Sequence, residues 1–201
     1  HAENSIVVAS GANMLLNEQD VDKVVEEMCE GDILLMQLEI PIQTVEYAAR
    51  RAFEKGVKVV LNPAPARSLP KELLRYLFMI TPNRIEAEML TGIKIVNDAD
   101  AERVAKEISA MGVQNIIVTL GSKGCLVREG DTSYCVDAFK VEPVDTTAAG
   151  DTFNGALCVG LAEGMNLRQS AGMASKASSV AVTRMGAQSS IPYRKEPDLN
   201  E

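Results

Sequence analysis

Histidine is all but missing from this chain: the only one among 201 residues is His1, so neither a His-based catalytic triad nor a His-ligated zinc site can be assembled. Cysteines are few and wrongly spaced for metal or redox work. Cys29, Cys125, Cys135 and Cys158 contain no C-x-x-C pair and read as reduced thiols. Cys125 and Cys135 would face each other if the hairpin through Glu129-Gly130-Asp131 were symmetric about Gly130, which would bring a disulfide within reach. No apolar run approaches the ~20 residues of a membrane span, and no charged n-region leads into an apolar h-region, so neither a membrane partner nor a signal peptide is expected. Basic charge is in deficit. With 20 Lys and Arg against 28 Asp and Glu the net charge is −8, and no basic patch offsets it, which argues against a nucleic-acid partner. Internal repeats, low-complexity tracts and a domain linker are also lacking. A cytoplasmic enzyme core is the expectation.

What is present is a regular rhythm. At 46% hydrophobic content the chain can bury one sizeable core, and residues 1–201 are expected to form a single α/β domain. Short apolar runs at 6–9, 33–38, 58–61, 77–80 and 115–120 suit buried parallel strands. Helical patterns lie between and after them. The first covers 18–29 behind an Asn17 cap, and the second 41–55 with Pro41 at its first position and Gly56 just past its end. Further helices are expected at 71–76, 84–90, 100–111, 151–163 and 167–185. The alternation predicts a three-layer fold, a mostly parallel sheet with helices on both faces. Residues 124–144 break it with β-like runs and turns, which predicts antiparallel strands at one sheet edge.

One stretch carries chemistry. In Asp145-Thr-Thr-Ala-Ala-Gly-Asp151-Thr-Phe153, small residues precede a carboxylate where Phe153, Ala156, Leu157 and Leu161 begin to recur at helical spacing. The bare amides of a helix start can hold an anion. A carboxylate there would repel a phosphate but can serve as a general base beside it, or can simply cap the helix. In a doubly wound sheet a ligand sits outside the carboxyl ends of the strands. Thr81-Pro82-Asn83 and Gly121 each follow a strand, and Gly150-Asp151 opens a helix, so the three segments are expected to meet at one crevice.

Asp145–Phe153 resembles the C-terminal signature of the ribokinase family of carbohydrate kinases. Asn62-Pro-Ala-Pro-Ala-Arg67, Thr81-Pro-Asn-Arg-Ile-Glu-Ala-Glu-Met-Leu-Thr-Gly92, Thr119-Leu-Gly-Ser-Lys-Gly124 and Gly186-Ala-Gln-Ser-Ser190 are similar to segments of that family in the same order. The likeness runs from about Ile6 to Tyr193 and matches roughly the last two-thirds of such a kinase, still within the usual length of one domain. The Gly-Gly sugar motif and β-sheet lid that begin the family have no counterpart, and His1 resembles a tag remnant.

The resemblance implies an ATP-dependent kinase that phosphorylates the 5-hydroxyl of D-ribose, with deoxyribose or fructose as related acceptors. A nucleotide-binding fragment without turnover is the alternative. Asp151 matches the catalytic base, and the Ala148, Ala149 and Gly150 amides match the anion hole. Asn83 and Glu86 match an Asn-x-x-Glu motif that holds Mg²⁺ and phosphates through water, chemistry suited to one amide and one carboxylate. Taken alone, Glu86 reads as a first-turn acid. Thr119, Leu120, Gly121, Ser122, Lys123 and Gly124 match the ATP-binding segment. Ser175 matches a residue near the adenosine, or else is a small helix-packing residue. Asp145, Thr147, Ala181, Arg184, Gly186 and Ser190 align with ligands of a monovalent cation, K⁺, though Asp145 alone reads as a turn acid. Glu39, in Met36-Gln37-Leu38-Glu39, matches a contact to ribose hydroxyls. In the family, a homodimer forms through the lid.

Overall fold

In the computed structural model, which describes residues 10–196, a six-stranded sheet runs in the chain order β1 to β6. The strands are β1 (Ile33–Met36), β2 (Lys58–Leu61), β3 (Met79–Ile80), β4 (Asn115–Thr119), β5 (Cys125–Glu129) and β6 (Thr132–Val136). β1 to β4 pair in parallel, and β5 and β6 add an antiparallel edge. The run at 6–9 lies outside the described residues.

Handedness decides where the helices go. α1 (Glu18–Glu27) precedes β1, and the crossovers carry α2 (Ile42–Glu54), α3 (Lys71–Leu74), and the pair α4 (Arg84–Thr91) and α5 (Asp98–Ala110). Each crossover steps to the next strand in the same direction, and right-handed connections of that kind place every helix on one face. Their apolar sides join Val59, Leu61, Ile80, Ile116, Val118 and Leu126 in one core cluster. The opposite face shows Val60, Met79, Ile117, Cys125 and Val127, and is covered by α6 (Ala149–Ala162) and α7 (Leu167–Ala181). Alternation along each strand thus feeds two cores. Ile116 is fully buried, and Ile116→Ala would cost about 2–5 kcal/mol.

Four helices start with an Asn capping box: Asn17 with Asp20, Asn83 with Glu86, Asn97 with Asp100, and Asn166 with Gln169. Each satisfies amide donors that the first turn leaves over. Pro41 proves to be the residue before α2 rather than its first member.

The Cys125–Cys135 pairing is corrected. The hairpin turns on Gly130 and Asp131, so Glu129 pairs with Thr132, Cys125 with Val136 and Cys135 with Leu126. A shift of one residue flips a side chain across the sheet. Cys125 therefore lies in the α6–α7 core while Cys135 lies opposite Leu126 of the other core, and both thiols are free. Burial pushes the Cys125 thiol up to about 12 and Cys158 to about 11, so neither is a nucleophile at neutral pH.

The helix expected to reach residue 185 ends at Ala181. The Val182 carbonyl instead accepts the Val144 and Asp145 amides at 2.7 and 3.1 Å. No helix among the described residues is long and apolar enough to cross a membrane.

Candidate active site

The parallel strands end in a row of polar residues. Gln37 follows β1, Asn62 follows β2, Thr81 follows β3, and Leu120-Gly121 follow β4. Against these ends stands the N-terminus of α6, which begins two residues earlier than the sequence pattern suggests, so that Asp151 is in its first turn. Gln37, Asn62, Asp151 and Asn154 line a cleft of about 230 Å³ together with Leu35 and Met36. The Gln37 amide donates through Nε2 to Asp151 Oδ1 at 2.5 Å.

The turn before α6 is unusual. Ala148 takes a left-handed conformation at φ 59°, alone among the described non-glycine residues, a strain that persists only where the surroundings impose it. The Ala149 amide donates to the Thr146 carbonyl at 3.3 Å. Among the described residues no acceptor meets the amides of Ala148, Gly150 or Asp151, which leaves donors open at the positive end of a helix of 14 residues. A buried relay braces this turn. Thr81 Oγ1 donates to Asn154 Oδ1 at 2.6 Å, and Asn154 Nδ2 donates to the Gly150 carbonyl at 2.9 Å. Ser178 of α7 holds the Ala149 carbonyl at 3.0 Å.

The segment matched to ATP binding continues from this site. Thr119 bridges to Asn83, and Arg84 Nη2 donates to the Leu120 carbonyl at 3.2 Å. Gly121, Ser122 and Lys123 form one turn of 3-10 helix, with Gly121 at φ 64°. Gly124 closes it, its carbonyl accepting from the Leu120 amide at 2.8 Å. A Cβ at Gly124 would come 2.0 Å from the Val136 carbonyl oxygen, so the loop can pack on the end of β6 only with glycine there. Ser175 reaches the same place, donating through Oγ to the Asp137 carbonyl at 3.2 Å.

Asn83 and Glu86 do form a helix cap, as the local reading allows. Glu86 accepts from the Asn83 amide and from Nδ2, both at 2.8 Å. The other three boxes show that capping needs no burial, since Asp20, Asp100 and Gln169 stay at least partly exposed. Glu86 is 5% exposed, and burial raises its pKa against the opposing pull of the Asn83 amide. No cationic side chain among the described residues pairs with it. A buried carboxylate without a counter-charge suits a hydrated Mg²⁺. No group of three or more His, Cys, Asp or Glu among the described residues could hold a metal ion by itself.

The residues aligned with a monovalent cation also converge. Asp145 accepts the Thr147 amide at 2.9 Å and the Gly186 amide at 3.0 Å. These bonds, the Thr147 ones foremost, hold its carboxyl below its usual range. Ala181 and Arg184 are joined by a backbone hydrogen bond of 3.1 Å, and Ser190 is fully buried. A carboxylate and backbone carbonyls are hard oxygen donors of the kind that suit K⁺, and the contacts shown to Asp145 itself are the two amides. Arg184 itself pairs with Glu196 at 2.6 Å.

Glu39 stands apart. It is exposed, two residues beyond Gln37, and does not line the cleft. Gln37 and Asn154 have no individual role in the sequence reading, and Thr81 enters it only as part of the segment expected at the crevice. The available signal was their position, since Gln37 and Thr81 are each the first residue past a parallel strand.

A family profile described as "pfkB family carbohydrate kinase" matches residues 1–194. The chain is 45% identical over 195 residues to the ribokinase of Haemophilus influenzae, covering 97% of this chain and 64% of that protein. It is 34% identical over 206 residues to the deoxyribokinase of Salmonella typhi, covering 100% and 67%. Among solved structures it resembles Arabidopsis thaliana ribokinase complexed with ribose and ATP, with TM-score 0.86 and 31% identity over 96% of this chain and 63% of that one. It therefore spans about two-thirds of the length of these proteins.

Proposed function

The chain belongs to the pfkB family of carbohydrate kinases, and from that premise we propose that it is the ATP-binding and catalytic part of a ribokinase-type phosphotransferase, acting on the 5-hydroxyl of D-ribose. The observation that carries this reading is Asp151 in the first turn of α6, within a cleft of amide side chains and beside open backbone donors. Phosphoryl transfer asks the protein mainly for positioning and for charge stabilisation. Asp151 takes the proton of the acceptor hydroxyl as its oxygen attacks the γ-phosphorus of ATP. The Ala148, Ala149 and Gly150 amides stabilise the charge spread over the transferring group; the Ala149 amide first leaves the Thr146 carbonyl. The Thr81–Asn154 relay keeps the turn in place before substrate arrives.

Thr119 to Gly124 and Ser175 flank the nucleotide. Mg²⁺, when bound through water near Asn83 and Glu86, supplies neutralisation of phosphate charge. Asp145, Thr147, Ala181, Arg184, Gly186 and Ser190 would hold K⁺, which orders the loop that presents the amides. Glu39, matched by the resemblance to a sugar contact, lies outside the cleft and carries no step of this reading. Ribose is preferred over deoxyribose as acceptor because the ribokinase of Haemophilus influenzae is the nearer of the two relatives, 45% against 34% identical.

The test is Asp151→Asn in a kinase-active form, in which this chain is preceded by the amino-terminal region that its relatives carry. The amide is nearly isosteric but accepts no proton, and turnover should fall ~10²–10⁴-fold while ADP still binds. Turnover within threefold of the parent refutes the base assignment. A second reading rests on the coverage of 64%: a nucleotide-binding module without turnover. Calorimetry with ADP and Mg²⁺ on this chain, beside coupled ribose assays with and without the amino-terminal region, separates the two: turnover that appears only with that region supports the first reading, and nucleotide binding without turnover in either form supports the second.

A further inference from the structure

We propose that Gln37 is the positioning residue of the base, holding one oxygen of the Asp151 carboxylate so that the other meets the acceptor hydroxyl. This rests on the reading of Asp151 as the base.

Two elements 114 residues apart in sequence meet in the Gln37–Asp151 bond. Asp151 is exposed at the start of α6, and a free aspartate there rotates about two torsions. Gln37 is the only hydrogen-bond partner of its carboxylate among the described residues. It engages Oδ1 and leaves Oδ2 open. Holding one oxygen selects the other as the proton acceptor and removes the torsional search that precedes each turnover. The donor is an amide, so it orients the carboxylate without neutralising it, as lysine or arginine would.

The placement of Gln37 supports a role in the site rather than in folding. Met36 and Leu38 on either side are buried in the core, while Gln37 is half-buried and lines the cleft. Asp151 Oδ1 is the only hydrogen-bond partner of its side chain among the described residues. The backbone there is fixed independently. The Leu38 amide donates to the Ala64 carbonyl at 2.8 Å, and the Asn62 amide to the Met36 carbonyl at 2.9 Å.

The experiment is a double-mutant cycle in the kinase-active form, with Gln37→Met, a near-isostere lacking the donor, combined with Asp151→Asn. Gln37→Met should lower kcat about 10- to 100-fold, the scale of a misplaced catalytic group, and leave the KM for ATP within about twofold. Added to Asp151→Asn, it should cost less than about threefold more, because a residue acting through the base has nothing to act on once the base is gone. Gln37→Asn, a methylene too short to reach, should behave like Gln37→Met. Gln37 variants within about threefold of the parent overturn the proposal, as does a loss that multiplies in full on the Asp151→Asn background. If Asp151→Asn is itself harmless, the base assignment falls and this proposal with it. If Asp151→Asn is inactive and Gln37→Met is not, only this proposal falls.

Discussion

Thr81→Val isolates the brace beneath the phosphate-facing turn. Thr81 and Asn154 are 2% and 3% exposed, and the bond from Thr81 Oγ1 to Asn154 Oδ1 is 2.6 Å long. Valine keeps the branched shape but removes the donor, so a buried amide oxygen loses its partner where water cannot replace it. An orphaned buried acceptor costs about 1–3 kcal/mol. For a domain of this size each kcal/mol lowers Tm by roughly 2–4 °C, so a fall of about 2–12 °C is expected. Asn154→Leu leaves the Thr81 hydroxyl near another acceptor, the Leu61 carbonyl at 3.4 Å, but gives up the bond to Gly150. The double variant removes donor and acceptor together. It should be more stable than the sum of the two losses predicts, by about 1 kcal/mol or more. Urea and thermal unfolding of the purified chain measure all three. A Thr81→Val loss below about 0.5 kcal/mol, or strict additivity, would show that the relay does not brace the turn.

Glu86→Gln should raise stability at neutral pH, because the desolvated charge is removed while the amide oxygen still accepts the Asn83 N–H of the capping box, although the second bond, from Asn83 Nδ2, is lost and offsets part of the gain. Burial raises the Glu86 pKa in the folded state, so the native carboxyl is favoured when protonated. The Tm gap between variant and parent should therefore open as pH rises from about 4 to about 7, and a gap that is constant over that range refutes the burial argument. The same variant should weaken Mg²⁺-dependent ADP binding, measured by calorimetry. Asp145 carries the opposite sign. Its pKa is lowered in the folded state, so its stabilisation is present above the usual carboxylate range and is lost as pH falls through the lowered value. Asp145→Ala should flatten the acid limb of the Tm–pH curve. In the kinase-active form it should also blunt the rise in rate on replacing Na⁺ with K⁺ at constant ionic strength, since screening does not distinguish the two ions. Equal rates in both salts for the parent would refute the cation assignment.

What could be read from the sequence, and what could not, follows from the range of the interactions. β2 and β4 are built on the apolar runs 59–61 and 116–118, and buried parallel strands need little else to be recognised. The antiparallel edge at 124–144 was legible as a break in rhythm, but not its register. A two-residue turn fixed that register and separated Cys125 from Cys135. The end of α7 was misread because apolar periodicity continues past Ala181, whereas the Val182 carbonyl is claimed by the loop before α6. Tertiary demand overrode local pattern there.

The site divides along the same line. Asp151, Asn83 and Glu86 lie in contiguous motifs and can be named as candidates from the sequence alone. Gln37 is chosen by a partner 114 residues away, and Thr81 by one 73 residues away. No local pattern encodes such pairs, but the topology does. In a sheet whose first four strands are parallel and sequentially ordered, the residue after each strand must surface at the same end. The helix that returns across the sheet brings its open amides to that end. Polar residues at those exits, Gln37, Asn62 and Thr81, are costly to bury unless each finds a partner. Asp151 and Asn154, one helical turn apart on α6, supply partners for Gln37 and Thr81, so the packing of α6 onto the sheet and the assembly of the site are one event.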